Sequence, residues 1–64
     1  MPTIIIYGPK LAVDKKRELV AKLTDIASQI YSMDKRTITI LIHEQQAENV
    51  GVGGELIADK EKQN

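Results

Sequence analysis

The sequence predicts an α+β fold of two layers, a βαβ unit in which a helix connects two parallel strands. Two β-rich runs, TIIIY at residues 3–7 and TITILIH at residues 37–43, flank a stretch with helical periodicity. A strand, a crossover helix and a second strand almost always join with a right-handed connection, so both strands should lie parallel in one sheet. A glycine-containing segment near the end of the chain should form a turn or short hairpin.

The first strand is predicted at residues 3–7 because the run is β-branched and aromatic and ends at Gly8-Pro9. Its three consecutive isoleucines make both faces of the strand apolar. We expect the helix to cover one face and another subunit to cover the other.

The helix is predicted to start at Asp14, whose side chain can accept a hydrogen bond from an unpaired amide of the first turn. Its apolar residues recur at helical spacing and form one stripe that should face the sheet. These residues are Leu19, Val20, Leu23, Ile26, Ala27 and Ile30. The helix should fray over residues 32–34.

The second strand is predicted from strict alternation over residues 37–43. One face carries Ile38, Ile40 and Ile42, and the other carries Thr37, Thr39, Leu41 and His43. After this strand, the run from Gly51 to Leu56 alternates glycines with small apolar residues, which is typical of a hairpin. The charged tail from about residue 58 is expected to fray, so residues 1–64 form a single domain.

The size of the chain predicts self-association. A lone domain of about 64 residues buries only about 60% of the surface that its unfolded chain exposes. The sequence has no cysteine and one histidine, His43, so it cannot form a disulfide or a structural zinc site. Stability should therefore come from contacts with other chains.

The charge balance argues against two classes of partner. Nine basic residues balance nine acidic ones, and only two aromatic residues are present, which disfavours binding to nucleic acid or to an anionic membrane. The apolar runs are too short for a membrane span or a secretory signal. A soluble, cytoplasmic protein is expected.

Pro2 is the first candidate for chemistry. When Met1 is removed, Pro2 becomes the N-terminus and its nitrogen becomes a secondary amine. An ordinary α-amino group has a pKa of about 7.7–8.0, and an apolar pocket would bring it towards neutrality, where a general base works best. Proline makes up about 5% of residues at any position, however, so Met1-Pro2 alone indicates little.

Three other features have ordinary structural explanations. Residues 51–54 fit neither a dinucleotide fingerprint nor a P-loop and are better explained as a turn. His43 could relay protons with Glu44, but a single histidine at a strand end is more often structural. The basic triplet Lys15-Lys16-Arg17 could attract an anionic substrate, although pairing with exposed acids is the simpler explanation.

Four features together resemble the 4-oxalocrotonate tautomerase family: Met1-Pro2 at the start, a βαβ unit of this length, a strand ending in Ile42-His43-Glu44, and the segment GVGGEL at residues 51–56. The resemblance covers nearly the whole chain. It implies that Pro2 shuttles a proton on a small keto or enol acid, with no cofactor and no metal. It also implies a homohexamer built as a trimer of dimers.

Carried over residue by residue, the resemblance makes Pro2 the catalytic base. The family's loop arginine falls on Lys10 or Leu11, its strand arginine on Thr39, and its aromatic pocket residue on Val50. Neither leucine nor threonine can replace a bidentate guanidinium clamp, so a dicarboxylate substrate is not expected. Arg36 has the same strand parity as Ile38, and it would need an irregular strand start or a neighbouring subunit to reach the pocket.

Two alternatives to an active tautomerase follow from the sequence. An oligomeric binding protein that kept the fold and lost catalysis would explain the missing arginines. A small nucleic-acid-binding βαβ module is disfavoured by the neutral charge and the shortage of aromatic residues.

Overall fold

A computed structural model describes residues 2–62 of the chain. The predicted removal of Met1, and the part of the expected frayed tail formed by Gln63 and Asn64, lie outside the described residues. The elements are, in order, β1 (Thr3–Gly8), α1 (Val13–Tyr31), a 3-10 turn (Lys35–Thr37), β2 (Thr39–Glu44), a second 3-10 turn (Ala47–Asn49), β3 (Gly51–Val52), β4 (Glu55–Leu56) and α2 (Ile57–Lys62).

The predicted βαβ unit is confirmed. Strands β1 and β2 pair in parallel, in a register that runs from Thr3 beside Thr39 to Gly8 beside Glu44. Alternate residues of both strands are half-buried on one face of the sheet: Ile4, Ile6, Ile40 and Ile42. Leu19, Leu23 and Ala27 of α1 are the corresponding half-buried or buried apolar positions of the helix layer. This small aliphatic interface is the core of the chain.

Much of the apolar surface is left uncovered in a single chain. Ala27 is the one residue of the described part that is buried. Ile5 is 51% exposed and Tyr7 70% exposed on the sheet face away from α1. Three members of the predicted helix stripe, Val20, Ile26 and Ile30, are also exposed, because the two-stranded sheet is too narrow to cover them.

The N-cap of helix α1 lies two residues earlier than predicted, so Asp14 is not the cap. The cap is Ala12, whose carbonyl oxygen accepts the first helical bond from Lys16 at 3.0 Å and whose side chain cannot cap an amide. Asp14 lies in the first turn instead, where its negative charge interacts favourably with the positive end of the helix dipole. The helix ends at Ser32, whose left-handed conformation (φ 54°) allows the amide of Met33 to reach the carbonyl of Ser28, a Schellman motif.

The second strand begins two residues later than predicted. Residues 35–37 form a 3-10 turn because the Asp34 side chain accepts a hydrogen bond from the Arg36 amide at 2.9 Å, which holds the backbone out of the strand conformation. Regular pairing starts at Thr39. The alternation predicted for Thr39 to His43 is confirmed.

The glycine segment forms the predicted hairpin. Strands β3 and β4 pair antiparallel, and the turn between them places Gly53 at φ 63° and Gly54 at φ 84°, as a two-residue turn with both central residues left-handed requires. The tail, expected to lack regular structure, forms the short helix α2 up to Lys62. Neither α1 nor α2 is long and apolar enough to cross a lipid bilayer.

Candidate functional site

Pro2 lies at the start of β1, beside the start of β2. Its carbonyl oxygen accepts a hydrogen bond from the backbone amide of Thr39 at 3.0 Å, which extends the strand pairing by one step before Thr3. Pro2 is half-buried, and Thr39 is exposed. The structure therefore brings together two of the four predicted site residues.

Lys10 lies beyond the opposite end of β1, in the loop that leads to α1. It lines a cavity of about 550 Å³ together with Glu44, Gln45 and Gln46. This cavity offers one ammonium group and two side-chain amides. Leu11, the alternative to Lys10 at the predicted loop position, donates its backbone amide to the Glu44 carboxylate.

Val50 lines a neighbouring cavity of about 380 Å³. The walls of this cavity are mainly apolar and come from the end of β1, the segment after β2, and α2: Tyr7, Gly8, Pro9, Gln45, Ala47 and Ile57. Because Pro9, Gln45 and Ala47 line both cavities, Lys10 and Val50 belong to one end of the sheet.

The four predicted residues thus form two pairs at opposite ends of the strands. Pro2 and Thr39 lie where the strands begin, and Lys10 and Val50 lie where they end. At about 3.3 Å per residue, six residues of β1 separate the pairs by roughly 20 Å. Within one chain, a small molecule that contacts Pro2 cannot also contact Lys10.

Glu44, the last residue of β2, is a polar centre that the sequence analysis did not assign to the site. Its Oε2 atom accepts a hydrogen bond from the Leu11 amide at 3.0 Å and pairs with Lys16 Nζ at 2.9 Å. The hydrogen bonds from Lys16 and Leu11, with the nearby charge of Lys10, lower the pKa of Glu44. The ends of parallel strands meet at one edge of the sheet, so the position of Glu44 at the end of β2 is the signal in the sequence that could have indicated it.

Arg36 does not occupy a strand position. Its guanidinium donates two hydrogen bonds to the Asp34 carboxylate, at 3.2 and 2.9 Å, and its side chain is 89% exposed. This pairing lowers the pKa of Asp34 and raises that of Arg36. The irregular strand start that the sequence analysis required is present, but in this chain the guanidinium is occupied by Asp34.

The remaining polar candidates are explained by pairing within the chain. The His43 ring stacks on Tyr7, with centroids 5.0 Å apart, on the exposed face of the sheet. Two lysines of the basic triplet face acids: Lys15 lies 3.8 Å from Glu18, and Lys16 contacts Glu44. Among the described side chains, those of residues 2–60, no group of three or more histidine, aspartate or glutamate residues is arranged to hold a metal ion.

Comparison with known proteins gives consistent results. The family model described as "Tautomerase enzyme" matches residues 2–60. A probable tautomerase of Campylobacter jejuni is 29% identical over 54 residues, which are 84% of this chain and 79% of that protein. Among solved structures, DmpI from Archaeoglobus fulgidus is 67% identical, with a TM-score of 0.85 over 91% of this chain and all of that one.

A second solved structure extends the likeness of fold to nearly the full length. A 4-oxalocrotonate tautomerase isozyme from Methylibium petroleiphilum is 25% identical, with a TM-score of 0.92 over 98% of this chain and all of that one.

Proposed function

The chain belongs to the tautomerase enzyme family, and from this premise we propose that it is a cofactor-independent tautomerase in which the N-terminal amine of Pro2 moves a proton. Membership supports isomerase activity in general. The finer proposal is that Met1 is removed, that the free amine takes a proton next to a carbonyl, and that it returns this proton elsewhere on the enol.

One observation carries the assignment of Pro2. Its carbonyl is hydrogen-bonded to the Thr39 amide, so the residue is held at the end of the sheet in a half-buried position. A base must be fixed within hydrogen-bond reach of the proton that it removes. A terminal residue anchored by strand pairing meets this requirement better than a free chain end.

We propose further that a complete site needs more than one chain. Pro2 and Lys10 lie at opposite ends of β1, roughly 20 Å apart. A substrate of a few ångströms could therefore contact both residues only if they came from different protomers. The surface supports association: the chain exposes 5231 Å², whereas a compact protein of this mass exposes about 4,100 Å².

The shape of the chain supports the same conclusion. Its radius of gyration is 15.4 Å, against about 11 Å for a compact domain of this length. The homohexamer that the family resemblance implies, a trimer of dimers, would cover the open sheet face and bring the two halves of the site together. We propose this assembly and a location in the cytoplasm, where the absence of cysteine suits a reducing compartment.

The proposed substrate is a small keto or enol acid with a single carboxylate. Lys10 offers one point charge, whereas the bidentate grip typical of arginine is absent at this position. Thr39 carries an exposed hydroxyl at the end of the sheet where Pro2 lies, and Val50 gives an apolar wall at the other end. These groups suit a monocarboxylate with an apolar body better than a dicarboxylate.

The test is ketonisation of the enol of phenylpyruvate by native protein and by Pro2→Ala, after mass spectrometry has established that Met1 is removed. We expect Pro2→Ala to lower kcat/KM by less than the 10²–10⁴-fold that a general base contributes in full, because the alanine keeps a primary amine at the N-terminus but loses the ring that fixes its position. Gln29→Ala, on the exposed side of α1, serves as control and should keep native activity. Unchanged activity in Pro2→Ala would refute the proposed base.

The alternative is a family member that has lost catalysis and acts as an oligomeric binding protein. The observation that favours it is the absence of a guanidinium at both Lys10 and Thr39. It predicts a stable oligomer that binds a keto acid without turning it over. The enol assay and a binding measurement on the same preparation distinguish these two functions.

A further inference from the structure

We propose that Glu44 is a positioning residue, whose carboxylate holds the loop after β1 so that the Lys10 ammonium faces an anion-binding cavity. This inference rests on the proposed function, because it assigns the cavity to the carboxylate of the substrate. Glu44 itself does not contact the reacting atoms. It acts through the loop.

The geometry joins three segments at one oxygen atom. Oε2 of Glu44 lies 3.0 Å from the Leu11 amide nitrogen in the loop and 2.9 Å from Lys16 Nζ on α1. The Leu11 amide belongs to the peptide plane that follows the Cα atom of Lys10, so fixing this amide restricts the backbone that carries the Lys10 side chain. Among the side chains of residues 2–60, no other is hydrogen-bonded to that loop.

We call the Glu44 carboxylate, together with the Leu11 amide and the Lys16 ammonium that it binds, the latch. The cavity beside the latch suits a carboxylate. Lys10 supplies an ammonium group and Gln45 and Gln46 supply amide donors around about 550 Å³. The charge of Glu44 would repel an anion, but Lys16 pairs with it at 2.9 Å and offsets that charge. The charged groups that face Glu44 are then Lys16 from α1 and Lys10 from the loop, and the local balance is positive.

Two roles for Glu44 give opposite expectations. If Glu44 holds the loop, removing its side chain releases Lys10 and weakens anion binding. If Glu44 merely competes for Lys10, removing its charge strengthens anion binding. Glu44→Ala abolishes both interactions, whereas Glu44→Gln keeps an oxygen that can accept from Leu11, so the conservative variant should restore part of the binding.

The latch itself is tested by nitrogen-15 NMR of the intact assembly. The Leu11 amide resonance should move with pH in a transition that lies below the usual pKa of a glutamate, and Glu44→Gln should abolish this transition. The direction follows from the lowered pKa of Glu44: the carboxylate accepts the bond when ionised, and it releases the amide as the pH falls. A Leu11 amide chemical shift that does not change with pH in this range would overturn the proposal.

The anion site is tested by titrating phenylacetate, with the neutral phenylacetamide as a matched probe, into protein that carries Pro2→Ala. We expect Glu44→Ala to weaken phenylacetate binding by about fivefold or more and to leave the affinity for phenylacetamide unchanged. Lys10→Ala should have the same effect on both affinities. Glu48→Ala removes a comparable glutamate outside the latch and should change neither affinity. Unchanged or tighter phenylacetate binding in Glu44→Ala would overturn the positioning role.

These measurements are separable from the proposed base. They need no turnover and are made in protein that lacks Pro2, so a failure of the Pro2 proposal leaves them unaffected. In active protein, Glu44→Ala should raise KM for phenylpyruvate enol more than it lowers kcat, since the loop binds substrate and takes no part in proton transfer.

Discussion

The backbone amide of Thr39 donates a 3.0 Å hydrogen bond to the carbonyl oxygen of Pro2, one residue before the paired register of β1 and β2 begins. This bond uses the carbonyl side of Pro2 and leaves its nitrogen outside the strand pairing. The proposed base is therefore held by the sheet without a bond to the atom that would do the chemistry.

The first prediction concerns the charge state of the Pro2 amine. A base acts when deprotonated, so kcat/KM should rise with pH through the pKa of this amine and then level off. A variant with one extra residue retained before Pro2 turns the amine into an amide and should lose the activity at every pH. Rate measurements across the pH range check this, with mass spectrometry of each N-terminus. An extended variant whose rate equals the native rate across the pH range would contradict it.

The second prediction concerns the open face of the sheet. Ile5 is 51% exposed in one chain, and a lysine there would be buried without a partner if another subunit covers this face. We expect Ile5→Lys to shift sedimentation towards smaller species. Ala21→Lys, at an exposed position of α1, is the control and should sediment as the native protein does. If Ile5→Lys and Ala21→Lys both sedimented as the native protein does, this face would not be an interface.

The third prediction concerns the end of α1. Ser32 adopts φ 54°, a left-handed conformation that glycine adopts without the penalty from a side chain. Ser32→Gly should stabilise the fold by at most about 1–2 kcal/mol, the cost of the left-handed conformation for a residue with a side chain. Gln29→Gly, three residues earlier within the helix, should destabilise it by about 1 kcal/mol. Chemical denaturation measures both free energies. The opposite signs at nearby positions separate capping from a general effect of glycine.

The fourth prediction concerns acid stability. The pairing with Arg36 lowers the pKa of Asp34, so this carboxylate contributes stability above its ordinary pKa, and the contribution is lost as the pH falls through the folded pKa. Asp34→Asn should therefore weaken the dependence of the unfolding midpoint on pH below about 4. Glu48→Gln controls for removing one carboxylate. An unaltered slope in Asp34→Asn would mean that the pair adds nothing in solution.

The secondary-structure elements that have a periodic pattern of residues could be predicted from the sequence. The parallel strands, the long helix and the glycine hairpin are specified by alternation, helical spacing and the need for positive φ at Gly53 and Gly54. The predictions were wrong at the boundaries of the helix and the second strand, where a single hydrogen bond determines the first residue of the element. Asp34 accepts the Arg36 amide and delays β2, and the Ala12 carbonyl starts α1 before Asp14.

The site was harder to predict than the fold because contacts between distant segments define it. Sequence comparison can assign Pro2, Lys10, Thr39 and Val50 to roles, but it does not measure their separation. The distance between Pro2 and Lys10 could nonetheless have been inferred from the sequence, since Pro2 precedes β1 and Lys10 follows it. Glu44 was missed because its partners, the Leu11 amide and Lys16, lie in segments that the parallel pairing brings to the same edge.

The opposed placement of Pro2 and Lys10 along β1 has a genetic consequence. If each site draws these two residues from different protomers, Pro2→Ala and Lys10→Ala chains are defective in complementary halves. Assembled together, they would recreate some intact sites wherever the unaltered Pro2 of one chain meets the unaltered Lys10 of the other. Two impaired proteins would then regain activity on mixing, and complementation of this kind cannot arise from a site contained within one chain.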